Sequence, residues 1–218
     1  MKERPILFSS PMVRALLDGR KTQTRRVCKA SIVSTSLEGV DDGVATFSRL
    51  YGDGPGYDVQ EDVYQLRSPY GKPDDRLWVR ETWAHHVQAI GAKRDEDGPF
   101  VYAADGELAK QYRLGDKWKP SIFMPRCASR ILLEIIAVRV ERLQDISYDD
   151  ALTEGIRDCT KICPDEVNNI TGETIHETAR RLKWPQREYR FLWESLHGAD
   201  SWDANPWVWV IEFKKIES

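Results

Sequence analysis

Residues Ser129 to Leu143 read as one long strand, and this segment restricts the folds open to the chain more than any other. Its centre, Ile131-Leu132-Leu133-Glu134-Ile135-Ile136, is apolar on both faces, as in a strand covered from two sides. From Val138 to Leu143 it turns to clean alternation, the pattern of a strand with one face on a core and one in water. A second strand, Trp207-Val208-Trp209-Val210-Ile211-Glu212-Phe213, follows Asn205-Pro206. A third runs from Asp75 to Trp83, where Leu77 and Val79 alternate with polar residues. Helices and loops separate these strands without the regular strand–helix alternation of a doubly wound sheet. The pattern predicts an α+β fold around a mostly antiparallel sheet, one that a barrel-like closure would suit.

The helices are short and carry their own punctuation. Ser10 is a good N-cap, Pro11 fits the first helical position, Met12, Val13, Leu16 and Leu17 supply an apolar side, and Gly19 can end the helix. Ser147-Tyr148-Asp149-Asp150 resembles a capping box opening a short helix through Ala151, Leu152 and Glu154, which Gly155 can stop. Pro185 can start a helix over 185–197, where Tyr189, Leu192, Trp193 and Leu196 form a core-facing stripe. The chain is expected to form a single domain over 1–218, with insertions at about 31–72, 85–120 and 156–184. The first is glycine-rich and reads as hairpin-bearing or loose. The second is polar, with a strand at Phe100-Val101-Tyr102-Ala103.

The chain has 218 residues, enough to bury a sizeable core, with 41% hydrophobic and 31% charged residues as in ordinary globular domains. Its formal net charge of -3 gives no global bias toward nucleic acid, so any polyanion site must be a local basic patch. The apolar runs are strand-sized and the first residues lack a signal-peptide core, so no membrane partner is expected and a cytoplasmic location is. The four cysteines, Cys28, Cys127, Cys159 and Cys163, are then expected as reduced thiols. Cys159 and Cys163 lack the usual zinc spacing, and His85, His86, His176 and His197 are scattered. Core or surface thiols are the reading, with a metal site as the lesser alternative, and no cofactor or metal is expected.

The chemistry concentrates in Asp18-Gly19-Arg20-Lys21-Thr22-Gln23-Thr24-Arg25-Arg26. If this segment is extended, Lys21, Gln23 and Arg25 share one face and Thr22, Thr24 and Arg26 the other; a twist or bulge would bring Lys21 and Thr24 together. Such a cluster suits holding an anion or activating a hydroxyl; the alternative is a solvated basic turn. A phosphate-binding P-loop is excluded, because Arg20 separates Gly19 from Lys21 and the helix precedes the motif.

Gly19-Arg20-Lys21-Thr22-Gln23-Thr24-Arg25-Arg26 resembles the G-x-K-T-x-T-x-R signature of the ASCH domain family, relatives of the PUA RNA-binding domain. Three further blocks are similar to that family in the same order. Asp75-Arg76-Leu77-Trp78-Val79-Arg80-Glu81-Thr82-Trp83 resembles its second strand, with Asp74 where glycine is common. Met124-Pro125 through Ser129-Arg130 to Glu154-Gly155 resembles its later strand and short helix, and Asn205 to Phe213 its closing strand. Long members of this kind are frequent in phages and prophages.

The resemblance implies a small, PUA-like, mixed or antiparallel β-barrel flanked by short helices. It implies a cleft for RNA or a modified nucleoside, with DNA as a further candidate. Some members hydrolyse N(4)-acetylcytidine and others are described as ribonucleases. Carried over position by position, the resemblance makes Lys21, Thr24 and Glu154 the catalytic set. Arg26 is carried over as the motif's terminal arginine, and Thr22, Arg25, Glu81 and Trp78 are further candidates for holding substrate. Amide hydrolysis needs a nucleophile, a base and positive charge for the oxyanion, which these residue types can supply. The alternatives are a ribonuclease using the same cleft and a non-catalytic RNA- or DNA-binding module. Trp78 and Trp83 could stack on a base, with core packing expected for at least one.

Overall fold

The computed structural model describes residues 1–29, 35–51, 60–89, 91, 94–157, 174, 177–178 and 183–216. These form a mixed α+β structure built from strands in several sheets, few helices and two compact units. Cys159, Cys163, His176 and most of the 156–184 insertion lie outside the described residues.

The first unit comprises Met1–Gly19, Pro69–Ala137 and Phe213–Ser218. Strand β1 (Glu3–Leu7) is followed by helix α1 (Ser10–Leu17), whose Val13, Ala15 and Leu16 are buried. The cap falls on Ser9 rather than Ser10, in extended backbone and without a side-chain hydrogen bond, because Ser10 and Pro11 already form the first turn. Gly19, at φ +71°, closes the helix as expected. Strand β1 runs parallel to Arg76–Arg80, which lies antiparallel to the first part of Leu132–Arg142. Ile6, Leu77, Val79, Leu133 and Ile135 face the core, with Phe8 against Phe213.

The polar excursion after residue 85 holds more structure than its composition suggested. Trp83–His85 pairs with Phe100–Tyr102, and Glu107–Gln111 forms a short helix. Trp83 is fully buried with Met124 and Ala128. Gly71, at φ +111°, would bring an added Cβ within 2.8 Å of Oδ2 of the buried Asp75. Gly71→Ala is therefore expected to lower stability by about 1–3 kcal/mol, read as a drop in the urea midpoint at unchanged slope.

The second unit comprises Arg20–Ser68 and Val138–Glu212. Numbered in chain order, the strands are β2 (Gln23–Val27), β3 (Thr35–Asp41), β4 (Val44–Tyr51), β5 (Gln60–Arg67), β6 (Arg76–Arg80), β7 (Trp83–His85), β8 (Phe100–Tyr102), β9 (Leu132–Arg142) and β10 (Trp207–Ile216). The helices after α1 are α2 (Glu107–Gln111), α3 (Tyr148–Thr153) and α4 (Trp184–His197). Within this unit β2 pairs antiparallel with β10.

The glycine-rich first insertion folds as the antiparallel sheet β3-β4-β5. Asp42 (φ +46°) and Gly43 (φ +75°) make the two-residue turn between paired Asp41 and Val44, with the positive φ at both positions that suits a tight hairpin. Helix α4 packs Tyr189 and Trp193 into a core with Leu143, Ala151, Trp202, Val208 and Val210. Leu196 departs from the expected stripe and is 51% exposed, because the helix ends one residue later at His197.

The strand order closes on itself in neither unit, so the described strands form open sheets and not the expected barrel. No helix among the described residues is long and apolar enough to cross a membrane.

Candidate functional site

The motif and Glu154 meet inside the second unit. Helix α3 starts on the expected capping box: Ser147 accepts from the Asp150 N–H at 3.0 Å, and the Asp150 carboxylate returns to the Ser147 backbone N–H. The helix is short enough that its C-cap is Glu154, and Gly155 (φ +97°) turns the chain away. This end is tied to the motif by backbone: the Thr22 N–H donates to the Thr153 carbonyl at 2.9 Å, and Lys21 pairs with Glu154 in an isolated antiparallel bridge. Arg20 adds a guanidinium bond to the Gly155 carbonyl at 2.7 Å.

The tie buries an ion pair. Lys21 is 2% exposed and Glu154 4%. The Lys21 Nζ donates to Glu154 Oε2 at 2.7 Å and to the Glu154 carbonyl at 2.8 Å. The other carboxylate oxygen, Oε1, accepts from Arg25 Nη1 at 3.3 Å. Desolvation by burial pushes the Lys21 ammonium below its ordinary value, against the pull of the Glu154 carboxylate, with Arg26 and Arg25 adding to the push. Lys21 is therefore a lysine whose ammonium burial disfavours while a carboxylate contact holds it in place.

No family model, curated protein or solved structure matches this chain.

A charged frame holds the pair. The Arg25 side chain has no exposed surface and meets three carboxylates: Glu141 Oε1 at 2.5 Å, Asp150 Oδ2 at 3.3 Å and Glu154 Oε1 at 3.3 Å. Burial works against its charge, and Glu154 and Glu141 more than offset this, holding the guanidinium above its ordinary value. Asp150 also receives Gln23 Nε2 and Arg139 Nη2, each at 2.9 Å, and the Ser147 hydroxyl at 2.8 Å. Its partial burial would raise its carboxyl, but these donors and cations hold it down at about 2. Arg139 is further bound to Glu141 and Glu212. The Arg25 guanidinium lies 5.9 Å from the ring centre of buried Tyr189, whose phenol burial pushes well above its ordinary value.

The expected residues thus fall into groups. Lys21, Arg25 and Glu154 are brought into contact. Thr24 is buried on β2 opposite Ile211, and Arg26 is half-buried opposite Trp209. Thr22 is exposed and joins through its backbone alone. Arg25, read from the sequence as a substrate contact, spends its guanidinium on carboxylates.

Glu81 and Trp78 belong to the first unit. Glu81 is 1% exposed and takes a two-pronged bond from Arg130 at 2.9 and 3.1 Å. Burial raises its carboxyl despite that bond, and Arg130 also pairs with Asp105 and covers the Tyr102 ring at 4.0 Å. Trp78 is half-buried on the strand face away from the core, whereas Trp83 is core.

Arg139 and Glu141 were not read from the sequence as part of this site; Gln23 was placed only on the face of Lys21 and Arg25, and Tyr189 only in the core-facing stripe. Arg139 and Glu141 carried a signal, since they are the charged positions of the alternating end of β9. Their partners lie far along the chain, and Arg25 and Glu141 are 116 residues apart.

Proposed function

We propose that this protein is a hydrolase of the ASCH, PUA-like type that cleaves an amide on a modified nucleoside of the N(4)-acetylcytidine kind. The observation that carries the reading is the buried Lys21–Glu154 pair, joining a lysine of lowered pKa to a carboxylate 133 residues away. Structural ion pairs also shift pKa values, but a fully buried pair gives little net stability and invites a chemical explanation. A second support is Asp74: it sits where the resemblance expects glycine and adopts φ +69°, the region that favours glycine.

In this mechanism Lys21, in its neutral form, removes a proton from a water aligned by the Thr24 hydroxyl as that water attacks the acetyl carbonyl carbon. Arg26 stabilises the oxyanion that forms. Glu154, in contact with the new ammonium, passes the proton to the exocyclic nitrogen as the C–N bond breaks. Water supplies the oxygen of the released acetate, and the amine leaves as the cytidine. Arg25 touches no reacting atom; clamped by Glu141 and Asp150, it fixes Glu154.

The test is release of cytidine and acetate from N(4)-acetylcytidine, followed by liquid chromatography. The wild type is expected to turn over, with a rate that rises with pH through a Lys21 pKa below the ordinary lysine value of about 10.4. Lys21→Ala is expected to be inactive with unchanged far-UV circular dichroism. A folded wild type that releases nothing, or a Lys21→Ala variant that keeps its rate, would overturn the reading.

A further inference from the structure

Strand β6 carries Arg76, Trp78 and Arg80 on one face and Leu77 and Val79, both in the core, on the other. The first face is partly exposed, with Arg76, Trp78 and Arg80 all half-buried. Its neighbours in register are Glu3, Pro5 and Leu7 of β1 and Glu134 and Leu132 of β9. Pro5 is exposed and Leu7 is 41% exposed; Ile136, next after Glu134 on this face of β9, also stands in solvent. A large aromatic ring amid exposed apolar side chains on a solvated sheet is unusual enough to suggest a partner.

The charges on this face say which partner. Its two carboxylates already have cations of their own: Glu3 binds Arg126 at 3.0 Å, and Glu134 binds Lys214 at 2.7 Å. No carboxylate among the described residues lies within ion-pair distance of Arg76 or Arg80. Arg80 gives only its Nε–H, to the Met124 carbonyl at 3.1 Å. The Arg76 Nε is buried with no acceptor, which costs free energy unless something supplies an oxygen. Two guanidinium groups without a carboxylate partner therefore flank one tryptophan, about 7 Å to either side by strand geometry. Both Arg80 and Arg126 approach the Trp78 ring, at 5.2 and 5.8 Å from its centre.

The geometry points to a docking surface for single-stranded nucleic acid on this face of the first unit. An unpaired base stacks on Trp78, while Arg76 and Arg80 take the phosphates on either side of it. The energies favour the exchange. An exposed cation–π contact contributes about 0.5–1 kcal/mol, whereas stacking a base on an aromatic ring contributes about 1–3 kcal/mol. An arginine leaving the ring can turn to a phosphate, so both gains are kept. A duplex keeps its bases stacked on one another and cannot use Trp78. An acidic peptide would satisfy the arginines alone and leave the ring without a role. This surface does not depend on the hydrolytic reading.

The experiment is fluorescence anisotropy of a labelled oligouridine of about 12 nucleotides, a length within single-strand site sizes, titrated with the full chain over a range of salt. The wild type is expected to bind, more weakly as salt rises. In Arg76→Ala/Arg80→Ala the slope of log affinity against log salt should fall by about 1.4, the share of two phosphate contacts on a single strand. Trp78→Ala should weaken binding at least about fivefold with the slope unchanged, and Trp78→Phe should recover most of it. Circular dichroism and melting midpoints matched to wild type establish that the variants are folded. The proposal fails if the wild type does not bind, or if the arginine variant binds with unchanged slope. It fails equally if Trp78→Ala has no effect, or if polyglutamate competes as well as oligouridine, which would make the face an acidic-peptide surface.

Discussion

Glu154→Ala is expected to destabilise the protein by about 3–5 kcal/mol near neutral pH, and the deficit should shrink as pH rises. The substitution removes the acceptor of the Lys21 ammonium at 2.7 Å and leaves that charge buried. Lysine escapes by losing its proton. Its folded value is already depressed by burial, so the unfolded chain binds more protons across the window from that value up to about 10.4, and stability climbs with pH there. Without the Glu154 carboxylate the folded value falls further and the window widens toward neutrality. Urea unfolding of wild type and variant from pH 6 to 10 reads the difference; a deficit independent of pH would show that Lys21 is not the group responsible. Lys21→Met combined with Glu154→Leu should recover most of the loss, since a buried pair replaced by apolar side chains of similar size is often neutral.

Arg25→Ala is expected to cost a similar amount, about 3–5 kcal/mol, with the opposite dependence on pH. Here the guanidinium is lost and Glu141, Asp150 and Glu154 remain. Three like charges are then left together without their cation, so the deficit is largest at neutral pH and falls as Asp150 protonates in the acid range. Wild-type Asp150 is held at about 2, so the stability its charge contributes is present above about 3.9 and disappears as pH falls from there through about 2. The variant should lose much of that acid-range dependence. Arg25→Lys should not restore stability, because one ammonium cannot span three carboxylates as a planar fork does. Acid titrations of the melting midpoint separate the two cases. Parallel pH curves for Glu154→Ala and Arg25→Ala would mean that the frame does not act through charge.

The two substitutions also mark what could be read from the sequence. The capping box at Ser147–Asp150 was legible because its partners are three residues apart, and it sets where Glu154 emerges. Lys21 was legible as chemistry but not as a buried group; nothing local says that a lysine in so polar a segment will be covered. Arg25 looked like a ligand-binding arginine because the carboxylates that occupy it arrive from β9 and α3. The hairpin at Asp42-Gly43 carried its own turn signal, obscured among the surrounding glycines and serines. Ser10 lost the cap to Ser9 because cap assignment depends on where the first turn closes, and both serines precede or open it. Open sheets in place of a barrel are a matter of long-range pairing, which alternation along one strand does not encode.

The distance along the chain between Lys21 and Glu154 has a bearing on biosynthesis. At typical elongation rates the glutamate follows the lysine by roughly 7 to 27 s, given their separation of 133 residues. Throughout that interval the lysine lacks the carboxylate that accepts its hydrogen bond in the folded protein. The base of the proposed reaction comes into being only when the helix carrying Glu154 folds onto it. The proposed activity therefore cannot precede synthesis of Glu154, and a ribosome-stalled fragment ending before that residue would carry the whole motif without the carboxylate that completes it.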